Sequence, residues 1–271
     1  MIELVGKIGS MALIDPNNRD LDYNKFNSIA RSLRPGMIWV SSGAVEIGRL
    51  DYMRRSGKEL SGDKDLVKTD YAAQGQAILM QTYRNFVSPT FSVRQILVEH
   101  NHFNDVQKRE HVKGLLLRAA KQNAIPIVNY NDAVSGEETR KTEIEFLRAQ
   151  NDSAVELVDN DETASQIACL VEAKILLILS TLEGIYADLS DPKSLVSEIS
   201  GDSADEVCKK LDALQQQCHG ASRAGANGAK AKLEYIKPCV QKGTKVIIAS
   251  SKYSLNDILA GNTPATRIFK K

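Results

Sequence analysis

Several features that would classify this chain quickly are missing from it. It has four cysteines in 271 residues, Cys169, Cys208, Cys218 and Cys239, and their spacings form neither a CxxC pair nor a zinc pattern. Reduced, mostly buried thiols are expected. No apolar run approaches the length of a membrane span, and the opening MIELVGKIGS is interrupted at Lys7 too early for a signal peptide. A cytoplasmic protein without a membrane partner is expected. The formal net charge is only +1, which supplies no general field for nucleic acid. His100, His102, His111 and His219 show no metal-ligand spacing with nearby cysteines or carboxylates. Surface polar positions are expected for them, with His100 and His102 paired on a loop. There is no GxxxxGK[ST] P-loop and no strand followed by GxGxxG, so a bound nucleotide would need another architecture.

What is present is a regular alternation. IELVG, MIWVSS, SVRQILVE, AIPIVNY and KILLILS read as strands. YNKFNSIARSLR, a long helical region from Val45 to Phe86, KREHVKGLLLRAAKQN and TASQIACLVEA read as helices between them. The pattern predicts an α/β fold with a mainly parallel central sheet and helices on both faces.

Ligands of such sheets bind beyond the carboxyl ends of the strands. The residues there are GKIGS, SSGA, NYND and STLEG, rich in small side chains, amides and carboxylates. Lys7 is read as following a strand in a glycine-rich turn, and Ser42 as a helix N-cap. Asn129 and Asp132 have an Asx turn as their plain alternative. Asp159, Asn160 and Asp161 stand at a helix entrance, where Asn160 or Asp161 could simply cap the helix. Lys232 heads KLEYIKPCVQK after the loop GANGAKA, where backbone amides, a helix N-terminus and an ammonium could meet phosphate together.

Six motifs in order, GKIGS (6–10), VSSGAVEIG (40–48), AAQGQ (72–76), IPIVNYNDAV (125–134), DNDETAS (159–165) and GANGAKAKLE (225–234), resemble those of the amino acid kinase family in its glutamate 5-kinase branch. The resemblance spans nearly the whole chain. It implies one amino acid kinase domain, 1–271, with roughly 1–158 binding the amino acid and roughly 159–271 the nucleotide. The chain stops just after ATRIFKK, so a short form without the RNA-modification-type domain of some family members is expected.

The implied reaction is ATP-dependent phosphorylation of the side-chain carboxylate of L-glutamate to γ-glutamyl phosphate, the first step of proline biosynthesis. The alternatives are a related kinase of another small carboxylate, or a regulator that binds nucleotide or amino acid without turnover. By the resemblance Lys7 and Lys232 are the catalytic lysines and Asp161 holds them in place. Ser42, Asn129, Asp132, Asp159 and Asn160 would bind the amino acid. Lys7, Gly9, Ser10, Ser180, Thr181, Gly225, Ala226, Asn227, Gly228, Ala229, Lys230 and Lys232 would line the nucleotide, with Lys230 a neighbour of Lys232 and not its equal. Mg2+ is expected through phosphates and water, with no protein ligand named. The resemblance also implies a homo-oligomer, dimer or tetramer, and glutamate-5-semialdehyde dehydrogenase as a candidate partner.

The chain departs from the family pattern in places. Tyr130 stands for Glu, Val158 for Gly and Thr181 for Asp, and the stretch between Asn131 and Asp159 carries an insertion. Within it TEIEFL and SAVELV alternate around RAQND, which predicts a mobile β-hairpin over the amino-acid site.

Overall fold

The computed structural model describes residues 1–150, 154–157, 159–188, 190–217 and 228–271. In chain order the elements are β1 (Leu4–Ile8), β2 (Ile14–Asp15), β3 (Asp20–Leu21), α1 (Tyr23–Ser32), β4 (Met37–Ser41), α2 (Ala44–Ser56), α3 (Lys64–Phe86), β5 (Ser92–Val98), α4 (Asn101–Asn104), α5 (Val106–Lys121) and β6 (Ala124–Tyr130). They continue with α6 (Glu137–Gln150), α7 (Asn160–Val171), β7 (Ile175–Ser180), β8 (Glu198–Gly201), α8 (Ala204–Gln217), α9 (Gly228–Gln241), β9 (Lys245–Ser250), α10 (Leu255–Ala260) and β10 (Ala265–Lys270).

Eight strands form one sheet in the order β5-β6-β4-β1-β7-β9-β10-β8. Its recorded pairings are parallel except for β10 on β9. Every residue of β1, β4 and β6 is buried. Strands buried along their whole length need cover on both faces, and their near-continuous apolar runs reflect it.

By contacts the chain divides into two units, Met1–Ile8 with Gly36–Ile38 and Asp161–Lys271, and Gly9–Pro35 with Trp39–Asn160. The first is built on the apolar runs of β7 and β9, paired in register from Ile175 with Lys245 to Ser180 with Ser250. The second centres on Trp39, Phe26 and Tyr83, all fully buried, with the Phe26 and Tyr83 rings edge to face at 5.1 Å. The Trp39 indole N–H reaches the Tyr83 hydroxyl at 3.0 Å, and that hydroxyl is 2.9 Å from Ser41 Oγ. A buried aromatic pair thereby satisfies its polar atoms and pins the carboxyl end of β4.

The region from Val45 to Phe86 is two helices, because Gly57 ends α2 in the left-handed conformation at φ 73° and Asp63 caps α3 through its side chain. These helices pack with almost no side chain between them. A β-carbon on Gly48 would strike the Tyr71 carbonyl oxygen, and one on Gly75 would strike that of Ala44. Gly48 of the VSSGAVEIG motif and Gly75 of the AAQGQ motif are therefore packing residues.

The expected hairpin is instead a helix. Arg140, Glu143 and Ile144, spaced as one helical face, meet the Tyr130 ring, His100 and the core respectively. Phe146, the other half of the apparent alternation, is 66% exposed. Ten of the fourteen residues EETRKTEIEFLRAQ are Glu, Arg, Lys, Leu, Ala or Gln, all strong helix formers, and this outweighs a short alternation. Among the described residues of the return stretch, 154–157, no strand is formed. Asn104 uses its side-chain amide to bond both the N–H and the carbonyl of Val155, at 2.8 Å each. Arg148 pairs with Glu156. Asn151 to Ser153 and Val158 lie outside the described residues.

His100 is not at the surface. It is fully buried beside α4, with Nε2 2.9 Å from Glu143 Oε2. Burial pushes its pKa below the usual histidine value, against the opposing carboxylates of Glu143 and Glu99. His102 is half-buried, and its Nδ1 accepts the Glu99 backbone N–H at 3.0 Å. His219 and Cys218 lie outside the described residues. Among those residues no helix is long and apolar enough to cross a membrane.

Candidate active site

In the unit that begins with β1, three charged groups meet in the interior. Lys7 lies inside β1 and not in the turn after it, and its register with Ile178 places it in mid-sheet. Its Nζ is 2.6 Å from Asp161 Oδ1. The Nζ of Lys232 is 2.5 Å from Asp161 Oδ2. Asp161 is 3% exposed and Lys7 is 9% exposed. Burial alone would raise the Asp161 carboxyl, yet Lys7 and Lys232 outweigh it and hold the group below the usual carboxylate range.

One buried carboxylate between two ammonium groups leaves a net positive charge, which suits a transferring phosphoryl group. Because both carboxylate oxygens are taken by lysines, Asp161 positions the cations and is not poised as a metal ligand.

The helices set this geometry. Asp161 stands in the first turn of α7, which begins at Asn160, so neither residue is the cap of that helix. Helix α9 begins at Gly228, four residues before the expected start, which puts Lys232 in its second turn. Lys230 is exposed, and its carbonyl accepts from Gln215 Nε2 at 2.7 Å.

In the other unit, Asn160 donates through Nδ2 to Ser42 Oγ at 2.9 Å and to Asn129 Oδ1 at 3.0 Å. Asn129 donates to Gln76 Oε1 at 2.9 Å and accepts the Tyr130 N–H at 2.9 Å. Among the described residues Asn160 Oδ1, itself buried, has no hydrogen-bond partner. A buried acceptor left open costs stability unless something binds it, which makes this oxygen a candidate contact for a ligand N–H. Ser42 is not a cap: the N-cap of α2 is Gly43, at φ 116°, and it makes no side-chain capping bond. The left-handed glycine turns the chain so that Ser42 offers its hydroxyl to Asn160.

Asp132 follows β6 and is half-buried. Burial raises its carboxyl to about 6, against the pull of Arg140 and Lys68. Asp159 is half-buried next to Asn160.

The expected nucleotide residues are scattered among several elements. Gly9 and Ser10 open a 3-10 turn after β1. Ser180 ends β7, with Oγ accepting the Leu182 N–H at 3.3 Å, and Thr181 follows it exposed. Gly228 and Ala229 start α9, and Gly225, Ala226 and Asn227 lie outside the described residues.

Gln76 lies in the AAQGQ motif but is not among the residues expected at the site. Its glycine packs α2 on α3, and the next residue then reaches Asn129. Only that packing reveals the role.

The sequence matches the amino acid kinase family over residues 4–250. The chain belongs to the amino acid kinase family. Within it, the chain is similar to the glutamate 5-kinase of Gloeobacter violaceus, 30% identical over 98% of this chain and 68% of the relative. It is similar also to that of Streptococcus suis, 28% identical over 92% of this chain and 64% of the relative. It thus spans about two thirds of the length of these curated relatives. The fold is similar to that of a carbamate kinase from Giardia lamblia, with a TM-score of 0.60 at 15% identity over 99% of this chain and 98% of that one. A UMP kinase from Ureaplasma parvum gives 0.55 at 13% identity, covering 99% of each chain.

Proposed function

We propose that this amino acid kinase transfers the γ-phosphoryl group of ATP to the side-chain carboxylate of L-glutamate, giving γ-glutamyl phosphate for proline biosynthesis. The observation that carries the reading is the pair of lysines held on one buried carboxylate. Donor and acceptor are both anions, and fixed cations lower the cost of bringing them together and of the charge on the phosphoryl oxygens. Lys7 and Lys232 supply that charge. Asp161 keeps their ammonium groups in place before reaction begins, so little reorganisation is needed.

Ser42, Asn129 and Asn160 would hold the amino acid, and the open Asn160 Oδ1 would accept from its ammonium. Asp132, once ionised, would pair with the same ammonium. Gly9, Ser10, Ser180, Thr181, Lys230 and the start of α9 would line the nucleotide. Mg2+ would arrive with ATP, held by phosphate oxygens and water, and supply charge neutralisation between the phosphates. The same reading includes a dimer or tetramer in solution and glutamate-5-semialdehyde dehydrogenase as the consumer of the product.

A second reading, phosphorylation of another small carboxylate, is favoured by Tyr130, which stands in place of an acidic residue and carries Arg140 at 5.9 Å from its ring. That exchange makes the neighbourhood of Asp132 more positive. ATP consumption measured over a panel of amino acids and small carboxylates, with hydroxylamine to trap acyl phosphate as hydroxamate, separates the two. Glutamate-dependent hydroxamate supports the first reading, and turnover that ignores glutamate sinks it.

A further inference from the structure

Two of the cysteines that are far apart in sequence are in contact. Cys169 on α7 and Cys239 on α9 are 70 residues apart, yet their sulfurs are 3.0 Å apart. Neither is part of the kinase machinery. Both are free and buried, Cys169 at 9% exposure and Cys239 at 0%. We propose that Cys169 and Cys239 form a thiol-oxidation site, at which a peroxide joins them in an intrachain disulfide that ties α7 to α9.

The placement of the pair makes the bond consequential. Asp161 is about two turns before Cys169 on α7, and Lys232 about two turns before Cys239 on α9. The helices therefore touch twice, through the Asp161–Lys232 ion pair and, further along, through the two thiols. Closing 3.0 Å to the roughly 2.05 Å of a disulfide needs about 1 Å of sulfur movement.

The surroundings assign the roles of the two sulfurs. The Cys239 thiol also reaches the Ser165 carbonyl at 3.2 Å, and Lys242 Nζ is 3.1 Å from the Cys169 carbonyl oxygen. The hydrogen bond with Cys239, helped by the Lys242 charge and opposed by burial, draws the Cys169 thiol below its usual value. The same contact and burial raise Cys239. Cys169 is thus the attacking thiolate. It attacks a peroxide oxygen, the O–O bond breaks, and a sulfenic acid forms with loss of hydroxide. Cys239 then attacks the sulfenic sulfur, the S–O bond breaks, and hydroxide leaves. Over both steps two thiols and hydrogen peroxide become one disulfide and two waters.

The test treats the purified full chain with hydrogen peroxide and follows thiols, mass and melting. Oxidation is expected to remove two titratable thiols, lower the mass by about 2 Da and yield a peptide linking Cys169 to Cys239 in a non-reducing digest. Closing so long a loop should raise Tm by several °C, on the order expected for a native cross-link. A Cys208→Ser, Cys218→Ser double variant should behave identically. If peroxide instead oxidises Cys208 or Cys218 and leaves the pair free, the proposal is overturned.

Because the disulfide restrains Lys232 against Asp161, kcat should fall several-fold on oxidation and recover with dithiothreitol. A formed bond with unchanged kcat would overturn that consequence. This arm alone rests on the proposed kinase reaction; a chain that never turns over ATP would sink that reaction while mass and thiol count still report on the bond.

Discussion

Lys7 and Lys232 are held by opposite oxygens of the same carboxylate, at 2.6 Å and 2.5 Å from Asp161. Sequence separates the two lysines by most of the chain, and one acidic side chain brings their charges to a single point.

Replacing Lys232 with Met should lower kcat on the order of a hundredfold with a smaller change in the KM for ATP, since its charge matters most as the phosphoryl group develops transition-state charge. Lys230→Met should do far less, because Lys230 is exposed. Steady-state kinetics of both variants decide the point, and equal mild effects would remove Lys232 from the catalytic set.

Asp161→Asn should also destabilise the fold, by on the order of 3 kcal/mol, because two largely buried ammonium groups lose their counter-charge. The folded-state pKa of Asp161 is lowered, so its contribution is complete above the unfolded value near 3.8 and disappears as pH falls through the folded value. Urea melts at pH 7 and pH 3 should show the gap between wild type and variant shrinking in acid.

Amino-acid affinity should weaken as pH falls through about 6, the value to which burial raises Asp132. Below it the carboxyl is neutral and no longer pairs with an ammonium; above it the carboxylate is formed. Asp132→Asn should raise the KM for glutamate and abolish this limb of the pH profile, while the KM for ATP stays level. A profile unchanged in the variant would assign the titration elsewhere.

Gln76→Leu should raise the KM for glutamate several-fold by leaving Asn129 Nδ2 without its 2.9 Å partner. Asn160→Ala, which removes the donor to both Ser42 and Asn129, should do so more strongly. Isothermal titration with glutamate would rank the two.

Helix α6 is expected to shape the amino-acid site through Arg140, which acts on both Tyr130 and Asp132. Replacing Glu137–Gln150 by a short Gly-Ser linker should therefore weaken glutamate binding and leave the KM for ATP nearly unchanged. Unchanged glutamate kinetics would make α6 a tolerated insertion.

Gly75→Ala should cost on the order of 3 kcal/mol, because its methyl group strikes the backbone of Ala44 and α2 and α3 must separate. Gly114→Ala is the control. There the new methyl meets only the flexible end of Arg118, so a neutral or slightly stabilising effect is expected in a helix interior. Thermal melts compare them directly.

The parallel α/β character was legible in the chain because a fully buried strand must be an apolar run, as in MIWVS of β4 and AIPIVNY of β6. Lys7, Asp161 and Lys232 were singled out by the motifs that resemble the family's, and the structure brings the three groups together. Local pattern failed where distant partners outweighed it. Ile144 and Phe146 looked like strand alternation, but His100 and Tyr130 select the helical face Arg140, Glu143 and Ile144. His100 looked like a surface residue because nothing near it in sequence announces its burial. Cys169 and Cys239 looked unrelated because 70 residues separate them. Periodicity and composition are properties of neighbours along the chain, so they determined strands, helices and the inventory of charges. Which carboxylate holds which lysine, which glycine admits a backbone and which thiol meets another depend on approach between segments, and only close packing of the tertiary structure decided them.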